Sequence, residues 1–507
     1  MSTNDEILNL DREEVIDQRT SPLPPIWIAQ KPGMGTRQEL TIAGVHQSGR
    51  NGDALRRFCE SIATAREVVV VSSFLLAEMT LETALFKASQ RGVRVYLLLA
   101  SETRLGRENL QEDDFGTRCL EDHKRMLNQL AGWALIRSAA HFHAKSLLVD
   151  PHLNGRGFLS TANLTTDALR RNEEIIVELT AAEARHVFEI LRWAMWESPE
   201  HEMLESSRFE AVKPLKKLSK PAANQEIRAV MDDTDTITDA VLQVIREATS
   251  EVLVASFGWQ ADHPAVKALC ERASKGLRVT VLARPRAAAM PALLALRLSG
   301  ARVLGFDWLH AKAIWNDAGH GMVITSNLEP LHAGRNFELG LQLRGERASA
   351  LAAHLNSWIT SAPWVLEASL KLGDVIGETM IWTDKKLEKA LIKSSQIHDL
   401  GEFIAESVEL MESTKALLPK LSLIKHTAHE VCFCYRVVAP KLAAKSRERM
   451  KPASKGIAPQ RHTPPVFKEP GGRVVVAIRA TSELPLALQT KQGTRAEAIV
   501  LLEECLK

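Results

Sequence analysis

The chain has 507 residues, enough for several domains with sizeable cores. Hydrophobic residues make up 45% and charged residues 25%, which is ordinary for a soluble globular protein and excludes a disordered or fibrous chain. A net charge of +2 names no partner by itself, and six scattered cysteines fit a reducing cytoplasm and not a disulfide framework.

Residues 1 to 18 are acidic and lack an apolar segment, so they do not read as a secretory signal. No run approaches the roughly 18 apolar residues of a membrane span. A flexible tail is expected over 1–30, ending in the proline-rich stretch Ser21 to Pro25. A helix is predicted from Asp53 to Ala65, with Leu55, Phe58, Cys59 and Ile62 on one face. The apolar run Val68 to Val71 suits a strand covered on both faces. A helix over Leu81 to Gln90, the stop Gly92 and a strand over Val93 to Leu99 follow.

The same unit returns later. Val252 to Phe257 parallels Val69 to Phe74, Ala265 to Ser274 is the helix, Gly276 the stop, and Leu277 to Leu282 the next strand. Strands alternating with helices predict an α/β fold with a parallel-type sheet, built as two pseudo-symmetric halves. Glu112 to Ala131 reads as a helix or lid, and its counterpart, Pro285 to Ser299, is shorter and alanine-rich. Strand Ile175 to Leu179 and helix Ala182 to Glu197 close the first half, with Trp193 and Trp196 expected as core anchors. Strand Leu339 to Leu343 and helix Arg347 to Thr360 close the second. The boundaries so drawn are a first half over 31–205, a basic linker over 206–225, a second half over 226–368 and a C-terminal accessory region over 369–507. That last region is expected to be mixed and mainly helical, with Leu387 to Leu423 mostly helix, strands at Cys432 to Cys434 and Arg473 to Arg479, and a closing helix from Thr494 to Leu506. Between Thr414 and Arg461 eleven Lys and Arg face only Glu430 and Glu448, and Lys441, Lys445, Arg447 and Arg449 are the candidate polyanion-binding residues of this strip.

One polar pattern occurs twice. His143-Ala144-Lys145 is followed by Asp150, and His310-Ala311-Lys312 by Asp317. Behind each stand a Thr-x-Asn, Thr161 to Asn163 and Thr325 to Asn327, and an Asn-x-Glu, Asn172 to Glu174 and Asn336 to Glu338. On a strand, residues two apart share a face, so each histidine and lysine would point together. An imidazole can attack phosphorus or pass a proton near neutral pH, an ammonium neutralises phosphate oxygens, and an amide can donate to them. A glutamate is suited to hold the second ring nitrogen of the histidine. His141 and His143 form a His-x-His, but no carboxylate or cysteine stands at ligand spacing, so no metal is expected.

This doubled pattern resembles the signature of the phospholipase D superfamily, His-x-Lys-x4-Asp followed by Gly/Ser-x-Asn and Asn-x-Glu. The sequence departs from it at Ser160-Thr161 and Ile324-Thr325, where the small glycine is lost and the hydroxyl is kept. The resemblance implies a cofactor-free phosphodiesterase. His143, with His310, would supply nucleophile and acid; Lys145, Lys312, Asn163 and Asn327 would hold the phosphate; Glu174 and Glu338 would orient the imidazoles; Asp150, Asp317, Thr161 and Thr325 would support the motif. With both copies in one chain a monomer suffices for the site, and a homodimer remains open. Superfamily members include nucleases, phospholipases and phosphatidyltransferases. The missing signal and the basic strip favour a nuclease on DNA or RNA, by analogy in a bacterial antiviral defence or repair system beside a helicase or ATPase. A lipid enzyme and an inactive nucleic-acid-binding scaffold are the alternatives.

Overall fold

The computed structural model describes residues 23–30, 41–48, 52–101, 105, 114–153, 155–212, 218–222, 224–231, 234–329, 337–370, 377–383, 386–392, 431–436, 466–468 and 474–480. The chain divides into two compact units, one of Ala29–Leu366 with Asp384–Leu387, the other of Met1–Ile28, Glu367–Thr383 and Glu388–Lys507.

The larger unit holds both halves. Each is built on a central strand, Val68–Ser73 in the first, which is buried throughout, and its counterpart Glu251–Ser256 in the second, which is buried from Val252 on. On one side of Val68–Ser73 lie Arg94–Ala100 and then Ala134–Ala139, all parallel. On the other side Ser146–Val149, Arg156–Ser160, Glu174–Leu179 and Val45–Ser48 follow, all antiparallel. The second half repeats this order. Arg278–Ala283 and Arg302–Gly305 are parallel to Glu251–Ser256, while on its other side Ala313–Asn316, His320–Ile324, Glu338–Arg344 and Ile227–Met231 follow, each antiparallel to the strand before it. The expected parallel sheet is therefore a mixed one. The helices Met79–Gln90 and Pro264–Ser274 are long enough to carry a parallel crossover. The few residues between Val149 and Arg156, or between Asn316 and His320, allow only a hairpin return.

Strand periodicity sorts the core into two layers. Val69, Val71, Leu97 and Leu99 face outward, under Leu55, Phe58 and Ile62 of helix Asp53–Ala63 and Leu81 and Leu85 of helix Met79–Gln90. Val68, Val70 and Leu98 face inward, into one core that also contains Leu253, Leu304, Val323 and Leu339 of the other half. Ile190 and Leu191 of helix Ala181–Glu197 and Leu355 and Trp358 of helix Gly345–Ser361 fill the same layer. The two halves thus share a single apolar interior and are not independent modules. Arg347 fastens them further, donating to Glu183 Oε1 at 2.7 Å and to the Glu178 carbonyl at 2.9 Å.

Several sequence expectations change. Trp193 is buried, but Trp196 is 42% exposed, with the Arg137 guanidinium 4.2 Å above its ring. The hairpin His201–Glu205 and Arg208–Ala211 extends the first sheet beyond the expected linker start; 213–217 of that linker lie outside the described residues. The tail is not wholly free, because Ile26–Ala29 pairs antiparallel with Gly377–Trp382 and buries Ile26 and Trp27 completely. A short β-branched and aromatic run is enough for a strand. Leu387–Ile392 is a strand, not the start of a helix: it follows Gly377–Trp382 at hairpin distance and lies beside it, and local pairing overrides a weak helix propensity. Val431–Arg436, Val474–Ala480 and Val466–Lys468 form a three-stranded antiparallel sheet, so the described part of the C-terminal region is β and not mainly helical. The expected closing helix and the strip with Lys441, Lys445, Arg447 and Arg449 lie outside the described residues.

Asp150 and Asp317 show how the motif strand is tied down. Asp150 adopts a positive φ of 46° and its carboxylate accepts from the backbone N–H groups of Arg66, Glu67 and Val68, each at 2.8 Å. Asp317 does the same for Thr249 and Ser250. Asp150→Ala should leave these donors without an acceptor and cost about 2 kcal/mol or more of stability, read as a lower denaturation midpoint; an unchanged midpoint would rule out the capping role.

Candidate active site

The His-x-Lys segments lie just ahead of strands Ser146–Val149 and Ala313–Asn316 rather than inside them. Their backbones pair instead with the opposite half. The N–H groups of His143 and Ala144 donate to the Phe337 carbonyl at 3.1 and 3.0 Å, and those of His310 and Ala311 donate to the Glu173 carbonyl at 3.0 and 2.8 Å. Phe142 bridges Phe337, and Leu309 bridges Glu173. Each histidine is thereby laid beside the residue preceding the other half's glutamate.

The side chains follow. His143 Nδ1 bonds Glu338 Oε1 at 2.8 Å, and His310 Nδ1 bonds Glu174 Oε1 at 2.7 Å. The glutamates are exchanged between the halves. A carboxylate on Nδ1 fixes the tautomer that leaves Nε2 for chemistry. The second oxygen of each glutamate is held by a threonine: Thr161 Oγ1 donates to Glu174 Oε2 at 2.6 Å, and Thr325 Oγ1 donates to Glu338 Oε2. These hydroxyls in turn accept from the Ile175 and Leu339 N–H groups, both at 3.0 Å. The motif threonines therefore orient the glutamates. Lys145 and Lys312 are fully buried, and each ammonium donates back to the carbonyl of its own histidine, at 2.5 and 2.7 Å. Lys312 Nζ also lies 3.1 Å from both ring nitrogens of His310.

Electrostatically the cluster is one body. Burial lowers the pKa of His143, against the pull of Glu338 and with the push of Lys145 and Lys312. Burial takes His310 down to about 4, with Glu174 opposing and Lys312 assisting. Lys312 falls to about 7, again mainly through burial. Burial also works against the charge of Glu174 and Glu338, but the facing imidazoles and lysines outweigh it and hold both carboxyls below the usual range. Both histidines are therefore neutral in the resting site.

Asn163 and Asn327 sit in the loops just after strands Arg156–Ser160 and His320–Ile324. Both amide oxygens are buried without a hydrogen bond among the described residues, and Asn327 Nδ2 donates to Glu329 Oε2 at 3.1 Å. Asp150 and Asp317 lie at the far end of the motif strands, five residues or roughly 16 Å along the chain from the lysines. Asn336 lies outside the described residues. His141 stacks edge-on against Phe142, 4.7 Å between centroids, and among the described residues no group of three or more His, Cys, Asp or Glu could hold a metal.

Sequence reasoning passed over the walls. Phe74 and Phe257 occupy equivalent positions and pack against His143 and His310 at 5.2 and 4.9 Å. Their place after matching strands, Val68–Ser73 and Glu251–Ser256, was the available signal. Beyond Phe257 the guanidinium of Arg286 lies 4.2 Å over its ring and that of Arg284 5.7 Å. Arg284 also lies 4.9 Å over Trp308, and Arg171 3.3 Å over the same ring. Glu329 fills the space beside Gly258, where a Cβ would meet its Oε1 at 2.1 Å.

The exchange of glutamates predicts a crossed response. Glu174→Gln, in the first half, removes a carboxylate that raises the pKa of His310, so NMR titration of imidazole nitrogens should show His310 titrating lower still while His143 moves less. A larger shift at His143 would contradict the pairing. The stability consequence has a fixed sign. A histidine whose folded pKa lies below its ordinary 6.5 favours the fold above 6.5 and loses that contribution as pH falls toward about 4.

Residues 58–196 match the family model described as "Cardiolipin synthase, PLD-like domain". No curated protein matches in sequence. Among solved structures, the chain is similar to the polyphosphate kinase from Porphyromonas gingivalis, at 14% identity over 68% of this chain and 48% of that one, TM-score 0.44. It thus spans about half the length of that protein. It is similar to phosphatidylserine synthase from Haemophilus influenzae at 11% identity over 67% and 90%, TM-score 0.48. It is also similar to Nuc, a phospholipase D family member from Salmonella typhimurium, at 17% identity over 27% and 95%, TM-score 0.25. Residues 58–196, most of the first half, are thus a phospholipase D-like domain, and the second half repeats the same His, Lys, Asp, Asn and Glu pattern.

Proposed function

We propose that this chain is a metal-independent phosphodiesterase that cleaves nucleic acid through a phosphohistidine intermediate. The observation that carries the reading is the pair of imidazoles, each with Nδ1 held by a glutamate of the opposite half and with a buried lysine beside it. The Nε2 lone pair of His143 attacks phosphorus and forms a P–N bond while the P–O bond to the leaving alcohol breaks. His310 passes the Nε2 proton to the departing oxygen. His310, now neutral, takes a proton from water, whose oxygen attacks phosphorus and releases His143 with a phosphomonoester. Lys145 and Lys312, with the Asn163 and Asn327 amides, stabilise the equatorial oxygens through both steps.

The cluster also supports a source for the acid proton. Two carboxylates and two ammoniums balance when both histidines are neutral. A bound phosphodiester brings one negative charge and so makes room for one imidazolium.

Three arginines on the rim favour a nucleic acid. The setting proposed with it is a bacterial cytoplasmic defence or repair system, beside a helicase or ATPase. The description of the matching family model favours a second reading, a phosphatidyl group as substrate. No described helix is long and apolar enough to cross a membrane.

Incubation with labelled single-stranded DNA, duplex DNA, RNA and phosphatidylcholine separates the readings. Cleavage of a polynucleotide is expected, and release of choline with no nucleic-acid cleavage would transfer the assignment to lipid. His143→Ala and His310→Ala should each lower turnover at least about 10³-fold with the fold intact. Activity should persist in EDTA, and loss in EDTA restored by a divalent ion would defeat the metal-free mechanism. Because Lys312 carries its charge only below about pH 7, kcat/KM should fall as pH rises past that point. A profile that keeps climbing above neutrality would show that this ammonium is not needed.

A further inference from the structure

The rim beside His310 carries an unbroken series of stacked contacts that the two-histidine reaction leaves unused. In order it runs Arg171, Trp308, Arg284, Phe257, Arg286, with cation-to-ring distances of 3.3, 4.9, 5.7 and 4.2 Å. Its segments come from both halves and from positions far apart in sequence. It reaches the reacting group, because the ring of Phe257 packs against His310 at 4.9 Å.

We propose that this ladder is a second subsite, which holds the phosphate and base flanking the scissile phosphate of a single-stranded polynucleotide on the His310 side. The inference rests on the nuclease reading and deepens it. A guanidinium lying flat on a ring keeps the N–H groups along its edge directed outward, where they can fork onto a phosphate. Trp308 and Phe257 are half-buried, so each offers an exposed ring edge or face at the rim. Alternating cations and rings suit a strand whose bases are unstacked, since each base can stack while the backbone meets the charges. A duplex keeps its bases inside and could use only the charges. Arg171 shares its charge with Asp167 at 3.6 Å, so Arg286 carries more of the anion binding than Arg171 does.

By the alignment of Arg94-Val95 with Arg278-Val279, the first-half residue that corresponds to Arg284 is Ala100. Phe74 and Ala100 there join an apolar cluster with Leu75, Leu105 and Leu120. Among the described residues, a cationic, aromatic wall flanks the symmetric catalytic centre on the His310 side.

The test compares the wild type with Arg286→Ala and Trp308→Ala on two diesters, a single-stranded oligonucleotide and bis(p-nitrophenyl) phosphate, which has no flanking phosphate. The ratio of kcat/KM, oligonucleotide over small diester, should fall about tenfold or more in each variant, as expected for one charge-assisted bond or one base stack. Trp308→Phe should restore most of it, and Arg286→Ala should reduce the salt slope of oligonucleotide binding by about 0.7. Thermal melts confirm folding, and Trp308→Leu with Arg286→Gln serve if an alanine variant fails to fold. An unchanged ratio in a wild type that does cleave polynucleotides overturns the ladder alone. Turnover of the small diester with no cleavage of DNA or RNA overturns the nuclease reading and the ladder with it. Phosphatidylcholine turnover that depends on the same residues reassigns the rim to a lipid headgroup and overturns the strand subsite.

Discussion

Two carboxylates, two ammoniums and two imidazoles are packed into one buried cluster, and its charge must balance. That constraint governs the rest of the site. Lysine is rarely buried without a partner, yet Lys145 and Lys312 are completely enclosed. Glu174 and Glu338 make this tolerable, and the lysines in turn keep those buried carboxyls ionised. Below about pH 7, where Lys312 is charged, the four charges cancel and a proton on either histidine is the uncompensated one, so burial drives both imidazoles toward neutrality. The resting site therefore has two nucleophile-competent rings and lacks an acid. An arriving phosphodiester reverses this by adding a negative charge.

The balance could not be struck inside one half. Each histidine takes its glutamate from the other copy, and the exchange is imposed by the backbone before any side chain is considered. The Phe337 and Glu173 carbonyls each receive two N–H groups from the opposite motif. This pairing sets Glu338 against His143 and Glu174 against His310 with no freedom to pair within a half. The shared core below, from Val70 and Leu98 to Leu253 and Val323, holds the crossing in place. Stability and catalysis consequently depend on the same interface, and an isolated half would expose an apolar layer and lose its acid partners at once.

Much of this was legible in the sequence, for a physical reason. A repeated polar pattern and a repeated strand-helix-strand run are local signals, and they located both halves, the paired histidines and lysines, and the buried strand beginning at Val68. The glutamate exchange was not legible, because two equivalent copies give the same residue list whether partners are kept or traded. Neither was the Arg171, Trp308, Arg284 and Phe257 series, whose members lie in four separate segments and meet only in three dimensions. Ile26–Ala29 was masked by the acidic and proline-rich residues before it, although four residues suffice for a short strand. Leu387–Ile392 carried helix-forming residues in a place where the preceding strand decided the outcome.

Duplication lets a site keep its chemistry while its surroundings diverge, and the two copies show where that happened. The bridges Leu76 to Leu164 and Trp259 to Leu328 occupy equivalent places, so the loops around them can be compared residue for residue. Leu75 with Thr165 in the first half corresponds to Gly258 with Glu329 in the second. The changes are coupled, since the carboxylate of Glu329 occupies the volume that a side chain at 258 would need. Thr165 caps the short helix Thr166–Arg170, whereas Glu329 reaches the amide of Asn327. One asparagine is therefore held by a carboxylate and, among the described residues, its twin is not. Within the six-group cluster the halves match group for group, and immediately outside it they differ in charge, bulk and hydrogen bonding. A substrate whose two ends were alike would gain nothing from such walls. A diester joining unlike groups would be bound in one orientation, and that orientation, more than any difference between the imidazoles, would settle which histidine attacks and which donates.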